Sequence, residues 1–245
     1  MSDSISQLLA VARSGLMAQQ ENVDLISANL ANINTIGYQA SRLNFQEMLV
    51  NSTLGGTRSQ STQLTAQSGP LQQTGQPLDL AVQGDGYFAV KLPNGQTGYT
   101  RNGHWQTDAS GQLVSAAGYP LVWQGQLPSS PQAVHVNPDG TVMAEQNNTW
   151  SQVGQIQLSH FANSAALVDG GHNVLLVSPA SGLATSGTPG SAGFGQLSSA
   201  VLEGSNVDMA NELTQMTLAQ RSYSLSLQAF QQTDQMLSLA IQLRQ

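Results

Sequence analysis

The chain has 245 residues, enough for one large domain or two small ones, and its 14 acidic against 7 basic side chains give a net charge of −7. Charged residues are only 9% of the total and the 31 glutamines outnumber all 21 of them, so the surface is polar but mostly uncharged. A single lysine, Lys91, leaves no basic footprint for nucleic acid or an anionic membrane, and the lack of cysteine excludes disulfides, thiolate metal sites and a Cys nucleophile.

No run approaches about 18 apolar residues, so no direct membrane insertion is expected. The N-terminus lacks a basic start and its apolar stretch Leu8 to Val11 is cut short by Arg13, so no cleaved signal is expected either. Ser4 and Gln7 fit a capping box opening a helix. From there Ile5, Leu9, Ala12, Leu16, Gln19, Val23, Ile26 and Leu30 alternate by four and three, and seven of the eight are apolar. That repeat predicts a helix packed on a partner helix, stopped near Gly37 by a residue able to take positive φ.

Residues 50–77 are rich in Ser, Thr, Gln and Gly and carry no helical stripe, which reads as an extended linker. From Pro77 onward short β-runs alternate with turns. Leu80–Val82 and Tyr87–Val90 flank Gly84-Asp85-Gly86, and Val134–Val136 and Thr141–Met143 flank Asn137-Pro138-Asp139-Gly140. Strands at this spacing predict a compact β barrel or sandwich, followed by a loop over 178–195. After Gly204-Ser205-Asn206, a helix start, the first pattern returns. Met209, Leu213, Met216, Gln220, Tyr223, Leu227, Phe230, Asp234, Leu237 and Ile241 alternate by four and three.

The predicted fold is therefore α+β: long N- and C-terminal helices pairing as a coiled coil, with an inserted, mainly antiparallel β domain. The expected boundaries are 1–36 and 202–245 for the helical assembly domain, 37–76 for the linker and 77–201 for the β domain. The assembly seam comprises Ile5, Leu9, Leu16, Val23, Ile26 and Leu30 on one helix, and Met209, Leu213, Met216, Tyr223, Leu227, Phe230, Leu237 and Ile241 on the other.

No chemistry emerges from the polar residues. The four histidines have no metal-ligand spacing. Gly84-Asp85-Gly86-Tyr87-Phe88-Ala89 has the form G-x-G-x-x-A, but a β-run follows it where a dinucleotide fingerprint needs a helix. There is no G-x-S-x-G elbow. No catalytic residue, cofactor or metal is expected, and the chain does not read as an enzyme. A second reading makes the β domain a carbohydrate or peptidoglycan binder on a helical stalk, with Trp105, Trp123 and Trp150 as its candidate platform.

The run Ala28-Asn29-Leu30-Ala31-Asn32, followed by Thr35, Gly37 and Tyr38, closely resembles the N-terminal signature of bacterial flagellar rod and hook proteins. Leu202-Glu203-Gly204-Ser205-Asn206-Val207-Asp208, with Gln220-Arg221-Ser222-Tyr223 and Thr233-Asp234-Gln235, resembles their C-terminal signature. Pro77–Val82, Gly86–Phe88 and Tyr99–Gly103 resemble their central motifs.

The resemblance implies a structural subunit of the basal-body rod that assembles with copies of itself and with other rod and hook axial proteins into a hollow helical tube. It implies export by the flagellar export apparatus into the periplasmic space, and transmission of torque. It marks Asn29, Leu30, Asn32, Thr35, Gly37, Ser205, Asn206, Val207, Gln220, Arg221 and Asp234 as family motif positions. Phe45–Leu49 resembles the distal rod protein, but the short stretch from Val50 to Pro77 favours a proximal one of the FlgF type.

Overall fold

The computed structural model describes residues 2–50, 53–128 and 131–242, with side chains omitted for 2–10, 12, 45–61, 233, 234 and 236–242. The chain divides into two compact units, one of residues 1–31, 41–63 and 208–245 and the other of 32–40 and 64–207. The structure is α+β, as expected, with two long helices and many antiparallel strands.

In the first unit, helix α1 spans Ser2–Ala31 and helix α2 spans Met209–Gln242, and the two are in contact. Helix α1 already includes Ser4, which therefore does not cap it, and it ends six residues before Gly37. Asp208 caps α2, its Oδ1 accepting from the N–H groups of Ala210 (3.0 Å) and Asn211 (3.4 Å). That satisfies donors a helix start leaves unpaired. The proposed start at Ser205-Asn206 thus lies upstream of the true cap.

Residues 37–76, read from sequence as an extended linker, contain the strands Ser41–Val50 and Thr53–Leu64, which pair as a two-stranded ribbon, and a third strand, Leu71–Gln73. Thr is frequent in strands, but the Ser, Thr, Gln and Gly of this stretch show no apolar alternation to announce a strand.

The second unit holds the β core. Strand Leu80–Gln83 pairs with Gln196–Ser199, and Leu71–Gln73 with Val201–Glu203, so the last strands of the unit close onto its first. Phe88–Lys91 and Thr97–Thr100 form a hairpin around Pro93-Asn94-Gly95, and Ala133–Val136, Thr141–Gln146 and Thr149–Gln155 form a meander. Asn147 and Asn148 turn the second hairpin of that meander with φ of 53° and 60°, the left-handed pair that a two-residue hairpin requires.

Leu80, Val82, Phe88, Val90, Leu113, Val142, Ile156 and Leu158 are fully buried in the main core. A smaller cluster gathers Tyr87, Tyr99, Phe161, Leu167 and Leu175, with Tyr99 and Phe161 edge to face at 4.8 Å. Glycine-rich 178–195 is mostly loop but includes the strand Thr185–Gly187, paired with Leu158–His160.

Candidate functional site

The motif residues at 29–37 and 205–207 lie where the chain passes between elements, whereas Gln220, Arg221 and Asp234 lie within the second helix. In the helical unit, Asn29 is 1% exposed near the end of α1. Its Nδ2 donates to the Ser41 carbonyl (2.9 Å) and its Oδ1 accepts from the Ser41 N–H (3.1 Å). One carboxamide thus completes both hydrogen bonds of a strand residue, as a neighbouring strand would. Asn29 Nδ2 also lies 3.4 Å from Glu212 Oε1 on α2.

In the β unit, Asn32 and Thr35 close the turn after α1. The Thr35 N–H donates to the Asn32 carbonyl, and Thr35 Oγ1 donates to Asn32 Oδ1, each at 3.0 Å. Gly37 follows with φ of +65°, and a Cβ there would run into the backbone of Arg101 and Asn102. Its N–H donates to the Glu203 carbonyl at 2.7 Å. Both the conformation and the close approach demand glycine.

Asn206 is the counterpart of Asn29. Its Oδ1 accepts from the Ala40 N–H (2.6 Å), and its Nδ2 donates to the carbonyls of Thr65 (3.1 Å) and Gln67 (2.7 Å). Its own N–H reaches the Tyr38 carbonyl at 3.3 Å. Ser205 Oγ accepts from the N–H of Val207, and both residues are buried.

Beneath Asn206 lies a buried ion pair, Arg101 Nη1 to Glu203 Oε2 at 3.2 Å, with side chains 3% and 2% exposed. Arg101 also donates to the carbonyls of Val82 and Gly84 and sits 5.2 Å from the centre of the Tyr87 ring. Glu203 Oε1 accepts from Gly69 N–H at 3.0 Å. Burial raises the pKa of Glu203 above the usual carboxylate value, while Arg101 and the Gly69 N–H act in the opposite direction. Burial is the largest of these influences. Nothing in the composition announced this pair. The two residues are 102 positions apart, and only the quoted motifs Tyr99–Gly103 and Leu202–Asp208 contain them.

The seam residues distribute as follows. On α1, Ile26 is buried and Leu16, Val23 and Leu30 are half-buried; on α2, Met216, Tyr223 and Phe230 are half-buried. Met209, Leu213 and Leu227 are 52%, 46% and 37% exposed, and Gln220 and Arg221 are exposed. The side chains of Ile5, Leu9, Asp234, Leu237 and Ile241 lie outside the described residues. Among the described residues the buried positions are Ala18, Ile26 and Asn29 on α1 and Ala219 on α2. The shielded face of α2 follows Glu212, Met216, Ala219, Tyr223, Ser226 and Phe230, which keeps the seven-residue repeat but takes Glu212, Ala219 and Ser226 in place of Leu213, Gln220 and Leu227.

His104 Nδ1 lies 2.7 Å from Asp79 Oδ1, a pairing that sequence spacing did not suggest. Among the described residues no cluster of His, Asp and Glu could hold a metal ion, and no helix is long and apolar enough to cross a membrane. Of the three tryptophans, Trp105 is buried in the core, Trp123 is partly buried and Trp150 is 46% exposed.

Three family models match consecutive parts of the chain. Residues 9–39 match the flagella basal body rod protein, 81–144 the flagellar hook protein FlgE/F/G D1 domain, and 198–243 the flagellar basal body rod FlgEFG protein C-terminal region. The flagellar basal-body rod protein FlgG of Caulobacter vibrioides is 37% identical, over 97% of this chain and 99% of its own length. The chain belongs to the flagellar basal-body rod protein family. FlgG of Bacillus subtilis is 34% identical over 94% of the chain and 96% of its own length, and FlgF of Mesorhizobium japonicum 30% over 92% of each. Relatives named FlgG and FlgF both align across nearly their whole length, which places the chain in the FlgF/FlgG type of that family. The protein is a structural subunit of the flagellar rod and not an enzyme.

Proposed function

We propose that this rod subunit polymerises through its terminal helices, with copies of itself and with other axial proteins, into a hollow tube whose inner wall is built from α2. The tube transmits torque and gives exported subunits a passage. The subunit itself reaches the periplasmic space through the flagellar export apparatus without a cleaved signal. In this reading α1 and α2 pair as a coiled coil through the seam, and the motif asparagines fix the chain where helices give way to strands.

The observation that carries the reading is the surface of α2. At about 100° per residue, the face toward α1 is centred on Met216, Ala219, Tyr223 and Phe230. About 60–100° to one side stand Met209, Leu213 and Leu227; about 120–140° to the other stand Leu218 and Leu225. All five are exposed, Leu218 by 52% and Leu225 by 66%. On the far side lie Thr214, Thr217, Arg221, Ser224 and Gln228, all polar and exposed. A helix with apolar flanks on both sides of its partner, and a polar back, suits neighbours left and right and water behind. Head-to-tail contacts of this kind generate rings or helical filaments.

The test is polymer formation. The parent protein should polymerise as its concentration rises, measured by light scattering and sedimentation. Leu225→Gln should remain monomeric with its unfolding midpoint unchanged within error, because Leu225 is exposed in the single chain. Polymerisation of the variant at the parent's concentration would refute the flank assignment.

A further inference from the structure

Three stretches of the β unit, at Gly37–Gln39, Gly69 and Val82–Tyr87, converge on one buried charge pair. The Glu203 carbonyl holds the N–H of Gly37, its Oε1 holds the N–H of Gly69, and its Oε2 meets Arg101. Arg101 in turn holds the carbonyls of Val82 and Gly84. Tyr87, under the guanidinium, donates its hydroxyl to Gln39 Oε1 at 3.1 Å. The approach is tight on every side. A Cβ at Gly37 would strike the Arg101 backbone, and one at Gly69 would strike the Gly204 carbonyl.

Burying two charges costs several kcal/mol per ion, and such a pair is often no more stabilising than apolar residues of the same size. A hydrophobic pair would, however, accept many arrangements of the passing backbone. An ion pair with directed hydrogen bonds accepts one.

We propose that Arg101 and Glu203 form a registry lock: the pair selects the single threading in which residues 37–40, 65–69 and 203–206 pass side by side, and it serves that selection rather than stability. The hydrogen bonds above it depend on that threading. They run from the Thr65 N–H to the Ala40 carbonyl, from the Ala40 N–H to Asn206 Oδ1, and from Asn206 Nδ2 to Thr65 and Gln67. These are the points at which the chain leaves the β unit at 40, returns at 64 and leaves again at 207. The lock therefore sets the positions of its exits. This inference concerns the β unit alone and does not depend on the polymerisation reading.

The full-length protein is compared with Arg101→Met, Glu203→Met, the double variant and Glu203→Gln, by unfolding midpoint and residue-resolved amide exchange. Each methionine single variant leaves one buried charge unpaired and should lower the midpoint by many degrees. The double variant should recover to within a few degrees of the parent. In the double variant, and in Glu203→Gln, the amides of Gly37, Ala40 and Thr65 should exchange at least tenfold faster. None of the three is bonded to a substituted side chain. The strand amides of Val82 and Ala89 should keep their protection relative to the global unfolding limit. A double variant as unstable as the singles, or unfolded, overturns the proposal. So does recovered stability with unchanged exchange at Gly37, Ala40 and Thr65, or a loss of protection in Glu203→Gln that is uniform across the β unit.

Discussion

Gly37 carries two demands at once, a positive φ and passage against the Arg101 backbone. Gly37→Val meets neither, and should cost at least the 1–3 kcal/mol of a strained non-glycine residue plus the displacement of Arg101. The β unit should unfold several degrees earlier, read by thermal melts, and the variant should not polymerise. Glu203 gives a second prediction, with a definite sign. Its folded pKa is raised, so the folded state binds more protons than the unfolded state between the ordinary glutamate value and the raised one. Stability should therefore fall as pH rises through that window and level off above it. Glu203→Gln should lack this slope, and an identical pH profile in parent and variant would remove the desolvation argument. Asn29→Ala leaves the Ser41 N–H and carbonyl without their side-chain partner in a buried place, which costs about 1–3 kcal/mol. The early loss should appear in amide exchange at Ser41.

At the scale of elements, the long helices and the strands Leu80–Gln83, Ala133–Val136 and Thr141–Gln146 were legible in sequence, because apolar periodicity and turn residues are local signals. The ribbon of 41–64 was not, because its second strand, Thr53–Leu64, is mostly Ser, Thr, Gln and Gly and shows no apolar alternation. The caps were legible only in part. Ser205 and Asn206 look like helix starters, yet Asn206 spends its side chain on the backbone of Ala40, Thr65 and Gln67 while Asp208 does the capping. The Arg101–Glu203 pair was invisible, since two charges 102 positions apart leave no periodicity. Ala219 belongs to this scale as well. It is 4% exposed on the shielded face of α2. In the assembled polymer, Ala219→Leu should overpack that face and lower stability by about 1–3 kcal/mol, in contrast to the neutral effect of Leu225→Gln on the single chain. Denaturant titration of both variants separates shielded from outward positions.

Over the whole molecule the two units are unequally provided for. The β unit buries a core of large side chains. Among the described residues of the helical unit, only Ala18, Ile26, Asn29 and Ala219 are buried, while Met17, Met209, Leu213, Leu218, Leu225 and Leu227 stand exposed. Helices this thinly supported draw little stability from tertiary packing. In the free subunit, amide exchange should accordingly be fast through α1 and α2 and slow in the β core, with α1 and α2 becoming protected on polymerisation. Strong protection of both helices in a verified monomer would overturn the view that assembly orders them. The central claim, that these faces build a hollow tube, is tested most directly by electron microscopy of the concentrated full-length protein. The account predicts ordered tubes or stacked rings with a continuous central channel; a protein that stays monomeric at every concentration, or gathers only into amorphous aggregates, would contradict it.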